Sequence, residues 1–311
     1  MLLKEVLEIF DLIDKPSANG EEVSKYIKEA GADSVSVTKI STENGSTDFI
    51  KIIIKGKEGK MIGKDAPTLG VIGRLGGIGA RPEMIGTVSD ADGAIAALAL
   101  ALKAARMKKK GDLLLGDLII TTHICPNAPT QPHYPVPFMG SPVSMQLMNE
   151  YEVDNQCDAF LSIDTTKGNK IINTKGIAIS PTVKEGYILK VSDDLLNIMQ
   201  IVTGQLPKVF ALSQQDITPY GNGVHHLNSI LQPAIATSSP VVGVAITTET
   251  AVPGCATGAS HPMDIEIAAR FSLEVVKMFT QNKCSFYDST ELSILLDKYG
   301  SLKKFQTLGE K

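Results

Sequence analysis

Cysteine is sparse and scattered: Cys125, Cys157, Cys255 and Cys284 stand far apart and form no CxxC pair. That spacing argues against a zinc knuckle and supplies no disulfide framework. No stretch approaches the roughly 18 continuous apolar residues of a membrane span. Met1 to Asp14 is a charged amphipathic pattern without the apolar run and cleavage site of a secretory leader. Basic charge is also short. A net charge of -4 gives no electrostatic footprint for nucleic acid. The longest basic run, Lys108-Lys109-Lys110, closes an apolar helical pattern and reads as a solvated helix end. Internal repeats, low-complexity tracts and linker composition are all lacking. The expectation is one domain over residues 1–311 in a reducing cytoplasm, without nucleic-acid or membrane partners.

What is present is an alternation of strand and helix patterns. Leu2, Leu3, Val6, Leu7, Ile9, Phe10 and Ile13 recur at helical spacing. A second helix starts near Ser17 or Asn19, with Glu21-Glu22 at its positive end, and stops at Gly31. Strand-like runs cover 34–40, 48–55, 68–72, 117–122, 159–164 and 241–247, with a pair in 176–191 and a further strand over 209–212. Residues 90–106 form an alanine-rich helix, 193–202 another, and 228–234 reads as helical. His261 to Asn282 reads as a long closing helix. Six prolines between Cys125 and Pro142 make that stretch a loop of fixed shape. The order predicts an α/β fold, a three-layer α/β/α sandwich around a mostly parallel mixed sheet.

Polar residues fall where such sheets bind ligands, beyond the carboxyl ends of the strands. Arg74 follows Val71-Ile72, and Asp90 and Asp92 open the alanine-rich helix. His123 follows Ile119-Ile120, Asp164 follows Leu161-Ser162-Ile163, and His261 begins the last long helix. Carboxylates and imidazoles gathered at one edge suit a divalent metal, zinc first and manganese or cobalt next. Each has an ordinary explanation alone: a helix cap for Asp90 or Asp92, a core histidine for His123, a turn for Asp164. His225-His226 lie in a glycine-bearing loop, and His133 in the proline-rich one. A guanidinium has no lone pair for a metal, so Arg74 is expected to grip a substrate carboxylate.

The runs GRLGGIGARPE, VSDADGAIAAL, ITTHICPNAP, SIDTTKG, ISPTVKEGY, QDITPYGNG and VPGCATGASH resemble a bacterial family known as domain of unknown function 1177, over nearly the whole length. A more distant likeness is to the co-catalytic zinc aminopeptidases and carboxypeptidases. That resemblance implies a zinc-exopeptidase-like fold. It implies metal ligands at Asp90, whose spacing to Gly93 matches the bridging aspartate, at Asp164, and at His261. It also exposes two departures. The family's His-x-Asp reads Arg74-Leu75-Gly76 here, and its Glu-Glu pair reads Thr122-His123.

Three functions follow as expectations. The first is a metal-dependent hydrolase of amide or peptide-like bonds, with Asp90, His123 and Asp164 or His261 on the ion. In it Arg74 orients a short-peptide or small-molecule substrate, and Asp92 or Glu249 is the base. The second is an inert binding protein on a peptidase-derived fold, with homo-oligomers possible in either case. The third is a metal-free lyase or isomerase using His123 and Asp164, or a nucleophilic Cys125 or Cys255. For those thiols, buried and inert is the simpler reading.

Overall fold

The computed structural model describes residues 1–74, 76–81, 86–132, 138–166, 168–250 and 260–308. The chain opens with helices α1 (Leu3–Ile13) and α2 (Gly20–Ala30) and the hairpin β1 (Ser34–Thr42) and β2 (Gly45–Ile54). Asn19 caps α2 by accepting the Glu22 N–H, and Gly31 ends it at φ 122°, a backbone angle that glycine tolerates. Next come β3 (Leu69–Gly73), β4 (Ala80–Arg81), α3 (Asp92–Lys109), β5 (Leu118–Ile124), β6 (Ala128–Gln131) and β7 (Phe138–Met139). They are followed by α4 (Met145–Glu152), β8 (Ala159–Thr165), β9 (Gly176–Ile179), β10 (Val183–Lys184), β11 (Tyr187–Ile188) and α5 (Asp193–Thr203). Then come β12 (Val241–Thr247), α6 (Pro262–Thr280) and α7 (Ser289–Tyr299).

The main sheet runs β1-β2-β5-β3-β8-β12-β10-β11, with β9 also paired to β12. Its centre, β5-β3-β8-β12, is parallel, and the flanking pairs are antiparallel. The parallel strands are buried along their whole length and read as near-continuous apolar runs, as strands covered on both faces must. One face carries α1, α2, α3, α5 and α6. The other carries α4 and a 3-10 helix over Ser229–Ile235. The fold is an α/β sandwich around a mixed sheet with a parallel centre, as the pattern of elements implied. Among the described residues no helix is long and apolar enough to cross a membrane.

Helix α3 sits at the middle of its layer. It touches α1, α2 and α6 as well as β3, β5 and β8. Consequently Ala94 to Leu102 are buried on every side of the helix, and alanine is what close approach to so many neighbours requires. Its start is pressed against the sheet. A Cβ placed on Gly93 would lie 1.9 Å from the Arg74 carbonyl oxygen and 2.5 Å from that of Ile163.

Four local expectations differ from the structure. The proline-rich stretch 125–142 contains β6 and β7, which with β4 form a separate small sheet. The 176–191 pair is three short strands. Residues 209–212 contribute only an isolated bridge, Val209 to Ile179. Helix α6 does not close the chain, because α7 follows it.

Gly93→Ala tests how tightly α3 is docked. Backbone oxygens cannot move aside as a side-chain tip can, so the substitution is expected to destabilise the fold by about 3 kcal/mol or more in urea unfolding. An unchanged midpoint would show that α3 has room to retreat.

Candidate functional site

The carboxyl ends of β3, β5 and β8 place Arg74, His123 and Asp164 side by side, as the strand order requires. Arg74 is completely buried. Its Nε lies 2.8 Å from Glu152 Oε2, its Nη2 donates to Asn149 Oδ1 at 2.5 Å, and its Nη1 is aimed at Met145 Sδ. All three partners come from α4. The guanidinium therefore meets an internal carboxylate where a substrate carboxylate was expected.

His123 shares that carboxylate. Its Nδ1 is 2.7 Å from Glu152 Oε1, and its Nε2 accepts the backbone N–H of Gly76 at 3.1 Å. Because a backbone N–H can only donate, Nε2 must be the acceptor and the ring proton sits on Nδ1, facing Glu152. Alternation along β5 explains the flanking threonines. Thr121 points to the same face as His123 and donates to the Glu152 carbonyl at 2.7 Å, while Thr122 donates to Gly73 at 2.8 Å. Phe49, 5.3 Å from the imidazole and 4.8 Å from Tyr151 between ring centroids, completes the packing.

Asp164 is buried at the end of β8. Its Oδ1 accepts the Thr165 N–H at 2.7 Å and its Oδ2 accepts Ser229 Oγ at 3.2 Å. Burial pushes its carboxyl up to about 7, against the opposing pull of those hydrogen bonds and of Arg74. Asp92 is buried at the start of α3 and accepts Ser260 Oγ at 2.5 Å, which ties the approach to α6 onto α3. His261, the next residue, is exposed at the N-terminus of α6, where its carbonyl accepts the Asp264 and Ile265 N–H groups. Glu266, further along α6, accepts the Leu2 N–H at 2.8 Å and so fastens the start of the chain to α6.

A cavity of about 260 Å³ opens above this layer, lined by Asp90, His123, Cys125, Met139, Met145, Met148, Tyr220 and Ser229 among others. The edge thus gathers Arg74, His123 and Asp164 around Glu152, with Asp90 on the cavity wall. Glu249 lies elsewhere: it is exposed and lines a different cavity with Asp264. Among the described residues no three His, Cys, Asp or Glu side chains are grouped so as to hold a metal ion. Cys125 is buried, and burial pushes its thiol up to about 11, the environment of an inert thiol. His133 and Cys255 lie outside the described residues.

Glu152 and Asn149 are the functional residues that sequence reasoning missed. Their signal was Ser144, which caps α4 by accepting the Leu147 N–H, followed by Met148, Asn149 and Glu152 at helical spacing. From Asn149 the network runs on: its Nδ2 donates to the Gln232 carbonyl at 3.2 Å, and Gln232 Oε1 accepts the Tyr220 N–H at 2.8 Å. Buried Asp216 organises the loop that bears Tyr220. It accepts the N–H groups of Ser213, Leu227 and Asn228 and the Ser213 hydroxyl, each at 2.9 Å. Within that loop His226 packs on Tyr220 with ring centroids 4.9 Å apart, its Nε2 close to Thr218, while His225 is exposed.

Comparison with known proteins agrees with this geometry at the level of fold. Residues 38–309 match the family described as "Protein of unknown function (DUF1177)". No curated protein matches in sequence. Among solved structures, the bottromycin maturation enzyme BotP superposes with a TM-score of 0.52 at 14% identity, covering 89% of this chain and 69% of its own. A Caenorhabditis elegans leucine aminopeptidase, LAP1, gives 0.53 at 12% identity, covering 92% and 66%. This chain therefore spans about two thirds of each neighbour's length.

Two substitutions probe the buried charges. Glu152→Gln leaves the Arg74 guanidinium without its counter-charge and is expected to cost about 3–5 kcal/mol, read from denaturant midpoints. A loss near that of an exposed ion pair, below about 1 kcal/mol, would mean that Glu152 is not the counter-ion. For Asp164, a folded-state pKa above the unfolded one makes the native state the stronger proton binder, so its contribution is complete below pH ~4 and is lost as pH rises through about 7. Asp164→Asn should therefore gain on wild type between those limits, by on the order of 2–4 kcal/mol at pH 8. Parallel stability–pH curves for the two proteins would refute that environment for Asp164.

Proposed function

The chain belongs to the DUF1177 family, and from that premise we propose that it binds a short peptide or amino-acid-like small molecule over the carboxyl edge of its sheet. In this reading an internal ion pair stands where the zinc aminopeptidases, by resemblance, carry a metal ligand. The observation that carries the reading is the complete enclosure of the Arg74 guanidinium by Glu152, Asn149 and Met145.

Two features speak against a co-catalytic pair of metal ions here. Arg74 is always protonated and offers no lone pair. His123 is committed at both ring nitrogens, and a metal on Nε2 would strand the Gly76 N–H that now donates to it. The Arg74–Glu152–His123 layer instead makes a buried, charge-paired floor, and a pre-organised floor is what a binding pocket needs. Asp164, protonated for part of its population near neutral pH, is the group with an acid–base capability beneath that pocket.

A second reading keeps the amide hydrolase, with one divalent ion held by Asp90 and Asp164 and with His261 brought to them. Its support is the pair of carboxylates at the strand edge and the likeness of fold to a leucine aminopeptidase. Elemental analysis of protein purified without chelator or nickel affinity separates the two. The binding reading expects metal far below one ion per chain and no rise in melting temperature on adding zinc, manganese or cobalt. Near-stoichiometric metal, abolished by Asp164→Ala, would replace it with the hydrolase.

A further inference from the structure

The cavity at the strand edge does not end at its own walls. Met145 and Tyr220, which line it, also line a second cavity of about 560 Å³ beside α4. Asn155, Ile235, Ala236 and Gln306 in turn line both that cavity and a third of about 480 Å³. The three share walls in succession, from the sheet edge past α4 to the segment around Asn155 and Ala236.

The chemistry changes along this track. The inner cavity is walled by Met139, Met145, Met148, Val143, Ala128 and Cys125, an adaptable apolar lining suited to an aliphatic or aromatic side chain. The outer part is lined by the side chains of Gln146, Asn155, Thr237 and Ser238, set in a wall of Asn149, Gln306 and Ser239, whose donors are held by backbone carbonyls of the protein itself. Neutral donors and acceptors of this kind match a peptide backbone, which presents both at each residue. Charge narrows the choice further. Among the described lining residues of all three cavities, the charged side chains are Asp90 and Glu150, both acidic, and Arg74 is sealed beneath the floor. An anionic ligand such as a nucleotide or a dicarboxylate would meet no counter-charge.

Resting on the reading of a peptide-like ligand above, we infer that the track takes an extended neutral or cationic peptide. Its terminal apolar side chain fills the methionine-lined cavity, and its following residues lie along the amide-lined groove past the Met145–Tyr220 partition. Gln146 is exposed on α4 at the start of that groove, so Gln146→Trp fills the groove without entering the inner cavity.

Calorimetric titration with leucinamide, Leu-Gly-Gly-amide and Asp-Gly-Gly-amide tests the inference. The tripeptide is expected to bind about tenfold or more tighter than leucinamide, and the aspartyl peptide about tenfold or more weaker than the leucyl one. In Gln146→Trp the advantage of the tripeptide should vanish while leucinamide affinity is kept, which also shows that the variant is folded. Equal affinity of wild type for leucinamide and the tripeptide would overturn the track and leave the inner pocket standing. Binding of none of the three would overturn the peptide reading itself, and the track with it.

Discussion

The buried contact between Arg74 and Glu152 is the constraint around which the strand edge is built. A guanidinium taken wholly out of water is tolerable only beside an opposite charge. Supplying that charge, and partners for the two terminal nitrogens, draws in much of the surrounding structure. Helix α4 must present Met145, Asn149 and Glu152 on one side, and β5 must end in a residue able to share the carboxylate, which is His123. The Gly76 N–H then completes the imidazole, and no side chain at 76 could be fitted, since a Cβ there would fall 1.5 Å from the His123 carbonyl oxygen. One cation thus dictates the identity of residues on three separate elements.

Much of the frame was legible beforehand because long, strongly patterned segments leave little choice. The near-continuous apolar runs of β3, β5, β8 and β12 read as covered parallel strands, and their ends fixed where Arg74, His123 and Asp164 would meet. The partners of Arg74 were not legible. Helix α4 is short, follows a proline-rich stretch and mixes apolar with polar positions, so its periodicity is weak against that background. Without α4 the arginine looked like a free cation waiting for a substrate. Identity of residue type gave the charge, and only the fold gave the direction in which it was already satisfied.

The short elements were lost for a related reason. Strands of two residues, such as β7, β10 and β11, carry no period that a sequence can display. The 3-10 turn over Ser229–Ile235 was read as helical in character but not for its position, which brings Ser229 against Asp164. His261 is a different case. A motif order shared with distant enzymes implies a ligand there, and the structure shows it exposed at the N-terminus of α6, next to the Ser260 that donates to Asp92.

Asp216 touches neither the cavity nor the groove, yet its carboxylate alone gathers the two ends of the segment that suspends Tyr220 between them. It acts as a keystone: remove it, and four donors at 213, 227 and 228 lose their common anchor at once. The gauge of the passage is therefore set from behind its wall. A survey of substitutions confined to residues in view of the ligand would find Tyr220 and never reach Asp216, which with Gln232 sets where Tyr220 stands.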